Sequence, residues 1–388
     1  LNSKVVGKML RQCLAIARRE FFFMWRDKSL RYILLAGPLL GLLIFYATYS
    51  PQVLKNIPAA IVDLDHSRAG QELIKNIQAA ENLKITAYPG SYDELEELIK
   101  KGEVIAGVVI PEDYGKEVSL SRQARVEMIV DGSNMIYATN TTSAMLSVTR
   151  TLSAQTGVKV LVARGIQPTQ ARAAYQPVEF REEAWFNPTL NYAYFVVLAL
   201  ALNVWQQCCT LAACMNITGE TGARSWYQIK ALGLSRLRLF FSKSAAQIIT
   251  FMVIALPVFF LAFVVCKLPL RCGFAVFLLF NLAFVIALHS VGTLASSLAR
   301  EAVNATRFGM IIALPSFLLS GYSWPLEAMP PYLRFIAQIL PQTWYFQGLN
   351  FLTFKDPGWA FMSQFFLAFL IIAAVCYGTA AIIVARRT

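Results

Sequence analysis

The sequence predicts an α-helical polytopic membrane protein with six transmembrane helices and an inserted α/β extracytoplasmic domain. Three observations carry that expectation. The 388 residues are 56% hydrophobic and only 15% charged, with a mean hydropathy of +0.50, whereas a soluble chain is roughly 45–50% apolar and about 25% charged. The apolar residues gather into runs long enough to cross a bilayer. One segment, 50–188, breaks that pattern with a polar composition and alternating strand and helix signals.

Charge placement orients the spans. A net charge of +12 would suit a nucleic-acid binder, but its distribution removes that reading. Segments 1–31, 216–243, 299–307 and 386–388 together hold 17 Lys and Arg against 4 Asp and Glu, while 50–188 holds 14 against 17. Basic connections stay cytoplasmic, so both termini are expected inside and 50–188 outside. None of the seven cysteines (Cys13, Cys208, Cys209, Cys214, Cys266, Cys272 and Cys376) lies in 50–188, so that domain must rely on its own core rather than on disulfides. Cys208 and Cys209 are adjacent, which is poor spacing for zinc, and all seven read as small apolar residues.

Residues 1–31 form a basic amphipathic helix. Val6, Leu10, Cys13, Ala17, Phe21 and Met24 recur at spacings of three and four, with Lys4, Lys8, Arg11, Arg18 and Arg26 largely off that stripe. Such a helix lies in the cytoplasmic interface; it is too long before the apolar run to be a signal-peptide n-region. Residues 32–54 are charge-free and make the first span. Within them Gly37 and Gly41 suit close helix approach, and Pro38 suggests a kink.

Segment 55–188 reads as the α/β domain. Strands are expected at 57–62, 83–88, 104–110 and 126–131. Ser67 caps one helix, and the capping box of Ser91 and Glu94 opens another. A short helix follows Pro111, a long one covers 134–164, and 177–185 returns extended toward the membrane. Asp63, Asp65 and His66 read as caps at a strand end rather than as a metal site.

The remainder, 189–388, holds five more spans, near 191–215, 244–266, 272–299, 308–322 and 359–385. Asn203, Gln206, Gln207, Thr210 and Cys214 share one side of the second span. A polar stripe in lipid must face protein or water, so it either lines a pathway or hydrogen-bonds a neighbouring helix. His289 sits near the inner end of the fourth span with Ser290, Thr293 and Ser296. With no Asp or Glu in any span to partner it, a proton relay is disfavoured. The aromatic, Pro-rich stretch 323–352 suits short helices dipping back into the outer leaflet.

Several chemistries are missing. The sequence has no Gly-x-x-x-x-Gly-Lys-Ser/Thr phosphate loop, no Gly-x-Ser-x-Gly, no His-Glu-x-x-His and no intramembrane carboxylate pair. An ion-driven carrier usually needs buried acids or broken-helix ion sites. Energy is therefore expected from a separate subunit on the cytoplasmic face.

Four stretches resemble the permease subunits of ATP-binding-cassette (ABC) exporters, specifically the type-2 family with a large ectodomain after the first span. They are Ile57-Pro-Ala-Ala-Ile-Val-Asp-Leu-Asp-His-Ser, Phe186-Asn-Pro, Gly219-Glu-Thr-Gly-Ala through Lys243, and Ser320-Gly-Tyr-Ser-Trp-Pro-Leu-Glu-Ala-Met-Pro-Pro-Tyr-Leu followed by Leu340-Pro-Gln-Thr. The likeness covers essentially the whole chain, and the last stretch is the most specific. It implies a half-transporter in a bacterial cytoplasmic (inner) membrane. A second permease chain, identical or related, would complete the path. ABC ATPase subunits carrying ATP and Mg would dock below, and an extracytoplasmic adaptor could bind the ectodomain. The chain itself would hold no catalytic residue and no metal.

By the same resemblance, Arg19, Glu20, Glu220, Gly222, Arg224, Trp226, Ile229 and Leu237 receive the ATPase motion. Asn203, Gln206, Gln207, Thr210, Ser316 and Ser320 line the candidate path, and Trp324, Pro325, Met329, Pro330 and Pro331 form an outer gate. Glu220 matches the family's acidic position, while Gly222 and Ala223 replace its usual Gly-Thr. Within 216–243 an amphipathic helix starts near Glu220 and buries Trp226 and Ile229. A turn at Leu232, Gly233 and Leu234 breaks it, and Ser235 caps a second helix that runs into the third span. A competing reading is a non-transporting membrane receptor or scaffold that binds a partner through its ectodomain; co-purification of an ABC ATPase separates the two.

Overall fold

The computed structural model describes residues 3–50, 54–175, 183–218 and 236–386. The chain divides into two compact units, Leu1–Ser50 with Ala184–Thr388, and Pro51–Glu183.

The unit Pro51–Glu183 is built on a four-stranded sheet of order β2-β1-β3-β4. Strand β1 (Ile57–Asp63) pairs in parallel with β2 (Leu83–Ala87) and β3 (Ala106–Ile110), and β4 (Glu127–Val130) closes the edge antiparallel to β3. Side chains alternate across a strand, and β1 shows it. Ile57 and Ile61 enter a core with Leu73, Ile77, Val108 and Ile110, while Ala60 and Val62 enter a second core with Leu95 and Val109. With helices on both faces, β3 is buried along its whole length. Helix α3 (Arg68–Gln78) and the long α6 (Met135–Ala163) cover the first face, and α4 (Tyr92–Lys100) covers the second. Short α5 (Tyr114–Ser119) precedes β4, and α7 (Pro168–Tyr175) packs back on α6. The expected caps are in place: Ser67 Oγ accepts from Gly70 N–H and Ser91 Oγ from Glu94 N–H. Asp65 accepts the Gly115 N–H at 3.0 Å and Asp63 those of Asp65 and His66, so these carboxylates tie the strand end to the following loops.

The other unit is helical and contains six helices long and apolar enough to cross a membrane, counted among the described residues. Helix α1 (Ser3–Arg26) is amphipathic and ends where Asp27 accepts the Leu30 N–H and caps α2 (Lys28–Thr48). The capping carboxylate thus starts α2 before the charge-free run that begins at residue 32. Helix α8 (Tyr192–Cys214) is capped by Asn191, which accepts from Ala193 and Tyr194. Helix α9 (Arg236–Phe260) carries Pro257 and widens into a π turn, Leu261–Val265. Helices α10 (Phe274–Leu298) and α11 (Ala302–Leu319) follow. After a 3₁₀ turn come α12 (Pro331–Ile339) and α13 (Pro341–Phe354), each with proline at its first position, where no N–H is needed. Helix α14 (Trp359–Arg386) ends the unit.

Helix α8 is the hub. Its span is 67% buried, against 50% or less for the other five. Lipid supplies no hydrophobic drive between helices, so close approach depends on small residues. A Cβ on Gly41 would meet Val204 of α8 at 3.3 Å, and one on Gly292 of α10 would meet the Ala213 Cβ at 2.6 Å. Aromatic rings fill the wider gaps: Tyr345 of α13 stacks on Phe284 of α10 at 3.7 Å between centroids and donates its hydroxyl to Asn281.

Gly292→Val should destabilise the protein by about 1–3 kcal/mol through overpacking against α8. Gly378→Ala on α14, where nothing lies within 4 Å, should be neutral or stabilise by about 0.5–1 kcal/mol. Thermal unfolding of both purified variants in one detergent checks the contrast.

Candidate functional site

The seam between α1 and α9 holds a buried ion pair. Lys243 Nζ lies 3.2 Å from Glu20 Oε2, with both side chains no more than 6% exposed. Helical spacing on α1 puts Glu20 on the buried side with Ile16 and Met24, while Arg18 and Arg19 are exposed. One turn beyond Lys243, Gln247 Nε2 donates to Glu20 Oε1 at 2.7 Å. That bond orients the amide, leaving its oxygen toward His289 Nε2 at 2.8 Å. An amide oxygen can only accept, so Nε2 carries the proton. In the neutral ring Nδ1 then accepts from the Tyr377 hydroxyl at 2.8 Å and the Thr293 hydroxyl at 3.1 Å. A single polar chain thereby links α1, α9, α10 and α14.

A second cluster lies next to this chain, where α8 ends. Asn216 Nδ2 donates to Ser244 and Thr293, and Ser296 Oγ accepts the N–H groups of Ile217 and Thr218 at 3.0 and 3.1 Å. Arg238 donates to Gln12 of α1 at 2.7 Å. Both ends of segment 216–243 are thus held: the start by α9 and α10, the end by α1. Glu220, Gly222, Arg224, Trp226, Ile229 and Ser235 lie outside the described residues, and Leu237 falls in the first turn of α9.

The polar stripe on α8 turns into a third cluster. Gln206, fully buried, donates to Asn203 Oδ1 at 3.0 Å and to Ser316 Oγ of α11 at 3.3 Å, and it accepts from Gln342 of α13 at 3.2 Å. Thr210 returns its hydroxyl to the Gln206 carbonyl. Asn203 and Gln207 stay half-buried. Gln342 Oε1 is buried with no partner among the described residues; such an orphan costs roughly 1–3 kcal/mol unless something else meets it. Ser320 bonds the Phe317 carbonyl and stands beside Tyr322, whose hydroxyl donates to the Phe195 carbonyl of α8. Of the expected gate residues, Met329 is buried while Trp324, Pro325, Pro330 and Pro331 are exposed.

Sequence reasoning missed Gln247 and Tyr377, and it named Lys243 and Gln342 only as parts of longer stretches, without their partners. It also left His289 without a partner, because the acid that reaches it through Gln247 comes from α1 and not from a span. The available signals were weak: Glu20 is the one acid among the basic residues of α1, and Lys243 is the last charge before an apolar run. Lys243→Met should cost about 3–5 kcal/mol, because it strands the Glu20 carboxylate in a dry seam, and a Glu20→Gln/Lys243→Met double variant should regain most of that loss. Melting of the purified variants measures both.

Comparison with known proteins adds the family. A model of the family described as "ABC-2 family transporter protein" matches residues 28–383. YbhR of Escherichia coli K12, a "Probable multidrug ABC transporter permease", is 22% identical over 86% of this chain and 87% of its own. The "Inner membrane transport permease YhhJ" of the same organism is 23% identical over 93% and 96%. The "Linearmycin resistance permease protein LnrN" of Bacillus subtilis is 22% identical over 88% and 91%. A multi-pass helical protein matched over nearly its whole length is a permease component of an ABC transporter, and the chain belongs to the ABC-2 transporter family.

Proposed function

We propose that the chain is the permease subunit of an ATP-driven exporter in a bacterial cytoplasmic membrane, with both termini cytoplasmic. It works as a dimer with an identical or related chain and is driven by separate cytosolic ATPases, which bind ATP and Mg. The observation that carries this reading is the buried Glu20–Lys243 pair, because it joins the two elements nearest the expected ATPase face. Relatives described as multidrug and linearmycin-resistance permeases favour export.

The mechanism follows from the polar chain. ATPase closure pushes segment 216–243. Helix α9 is helical from Arg236 to Phe260, well into the third span, so the push moves that stretch as one rod. Glu20 makes α1 move with it, since sliding one helix past the other would leave two charges unpaired in a low-dielectric seam. Gln247, His289 and Tyr377 carry the displacement to α10 and α14. Midway along α8, the half-buried Asn203 and Gln207 face the path shared with the second chain. The open acceptor of Gln342 marks the same region as able to receive a polar group. The exposed Trp324, Pro325, Pro330 and Pro331 lie at its outer mouth. The acidic and apolar groups of segment 216–243 supply the docking contact.

Replacing Trp226, Ile229 and Leu237 together by alanine should reduce ATPase co-purification, or abolish transport-coupled hydrolysis, while the permease still folds. Pull-down with the cognate ATPase and ATP turnover in proteoliposomes measure this. Unchanged assembly together with unchanged coupling sinks the proposal.

A further inference from the structure

The unit Pro51–Glu183 contains a cavity of about 1050 Å³ that the transport scheme leaves without a role. It lies between α6 and the segment running from α5 into β4, and Tyr175 of α7 stands at its edge. Gly157 fixes that edge: a Cβ there would fall 2.0 Å from the Tyr175 ring, so α7 closes on α6 only because the position is glycine. The volume is at the upper end of what small-molecule sites use, roughly 300–1,000 Å³.

The lining is divided by chemistry. Leu73, Tyr114 and Leu152 are each less than a tenth exposed and give an apolar floor. Arg122, Arg125 and Arg164 line the same space. Arg122 faces Glu117 at 3.8 Å, whereas the side chains of Arg125 and Arg164 have no hydrogen-bond or ion-pair partner among the described residues. The one carboxylate in the lining, Glu127, already accepts from the Tyr92 hydroxyl. Residues 51–183 carry 14 Lys and Arg against 17 Asp and Glu, a net of −3. Two exposed guanidinium groups without a partner among the described residues therefore line, against the net charge of their own unit, a space with an apolar floor. Guanidinium groups pair with carboxylate or phosphate in a planar, two-pronged geometry. The floor takes aliphatic surface and removes it from water. A cation would meet one carboxylate, Glu127, against three arginines, and a small hydrophilic anion would leave the floor wet.

We propose that this cavity binds a single-chain anionic amphiphile, with the aliphatic chain over Leu73 and Leu152 and the carboxylate or phosphate head on Arg125 and Arg164. The site stands apart from ATP coupling and holds whether or not the chain exports what it binds there.

The test uses the full chain in lipid nanodiscs and two photoreactive twelve-carbon probes, one ending in carboxylate and one in trimethylammonium. Labelled peptides are read by mass spectrometry. The carboxylate probe should label peptides containing Thr149, Thr156 and Val126, and unlabelled dodecanoate should compete. The Arg125→Gln/Arg164→Gln variant should cut that labelling about tenfold or more, as expected for loss of charge-assisted bonds. Thr156→Trp, which fills the cavity and keeps both arginines, should cut it likewise. Lys159→Gln, on the same helix but outside the cavity, should leave it unchanged. Probe added from water and probe preloaded in the bilayer distinguish a dissolved ligand from a membrane-derived one, and labelling by either route supports the site. Equal labelling by both head groups, no labelling of these peptides, or labelling unaffected by the double arginine variant would overturn it.

Discussion

Two opposite charges buried together between helices fix where those helices sit. Glu20 and Lys243 are out of water at 3.2 Å, and neither charge is tolerated there without the other. Such a pair is weak evidence for stability, since well-packed apolar residues would often do as well. Its consequence is register: α1 and α9 hold one relative position, and a shift by a helical turn, about 5.4 Å, loses the pair outright. Every other bond of the polar chain depends on this. Glu20 orients Gln247, Gln247 sets the tautomer of His289, and His289 with Thr293 and Tyr377 ties α10 and α14 to the same point.

The hub helix makes that register matter elsewhere. Helix α8 meets α2, α10 and α11 through glycine and small side chains, and its buried Trp205 packs against Phe259 of α9 and Phe284 of α10. The hydrogen-bonded clusters at Asn216 and Gln206 supply the specificity that the small residues lack.

Much of this architecture was legible in the sequence because membrane segments obey few rules. Long charge-free runs identified the spans, and the basic connections gave an expected orientation. The capping residues Ser67 and Ser91 read correctly because a cap is a local bond between a side chain and an N–H three residues on. Element ends read less well: α2 starts at Lys28 because Asp27 caps it. Helix α7 was not anticipated, since its packing on α6 rests on Gly157 and not on any pattern of its own. The polar chain was out of reach for a plainer reason: Glu20 and Gln247 lie 227 residues apart, and no periodicity connects them. On the α8 stripe, the sequence left open a pathway or bonds to a neighbouring helix. Gln206 and Thr210 are taken up by bonds within the chain, while Asn203 and Gln207 keep partial exposure.

The central claim is that the α1–α9 seam transmits ATPase motion as one body. A double-mutant cycle on Glu20→Ala and Lys243→Ala, read as transport per ATP hydrolysed in proteoliposomes containing the cognate ATPase, tests it most directly. If the seam acts as one unit, each single variant lowers that ratio about tenfold or more with the ATPase still bound, and the double variant is no worse than either single. Losses that simply add, or a ratio unchanged in both single variants, would contradict the account.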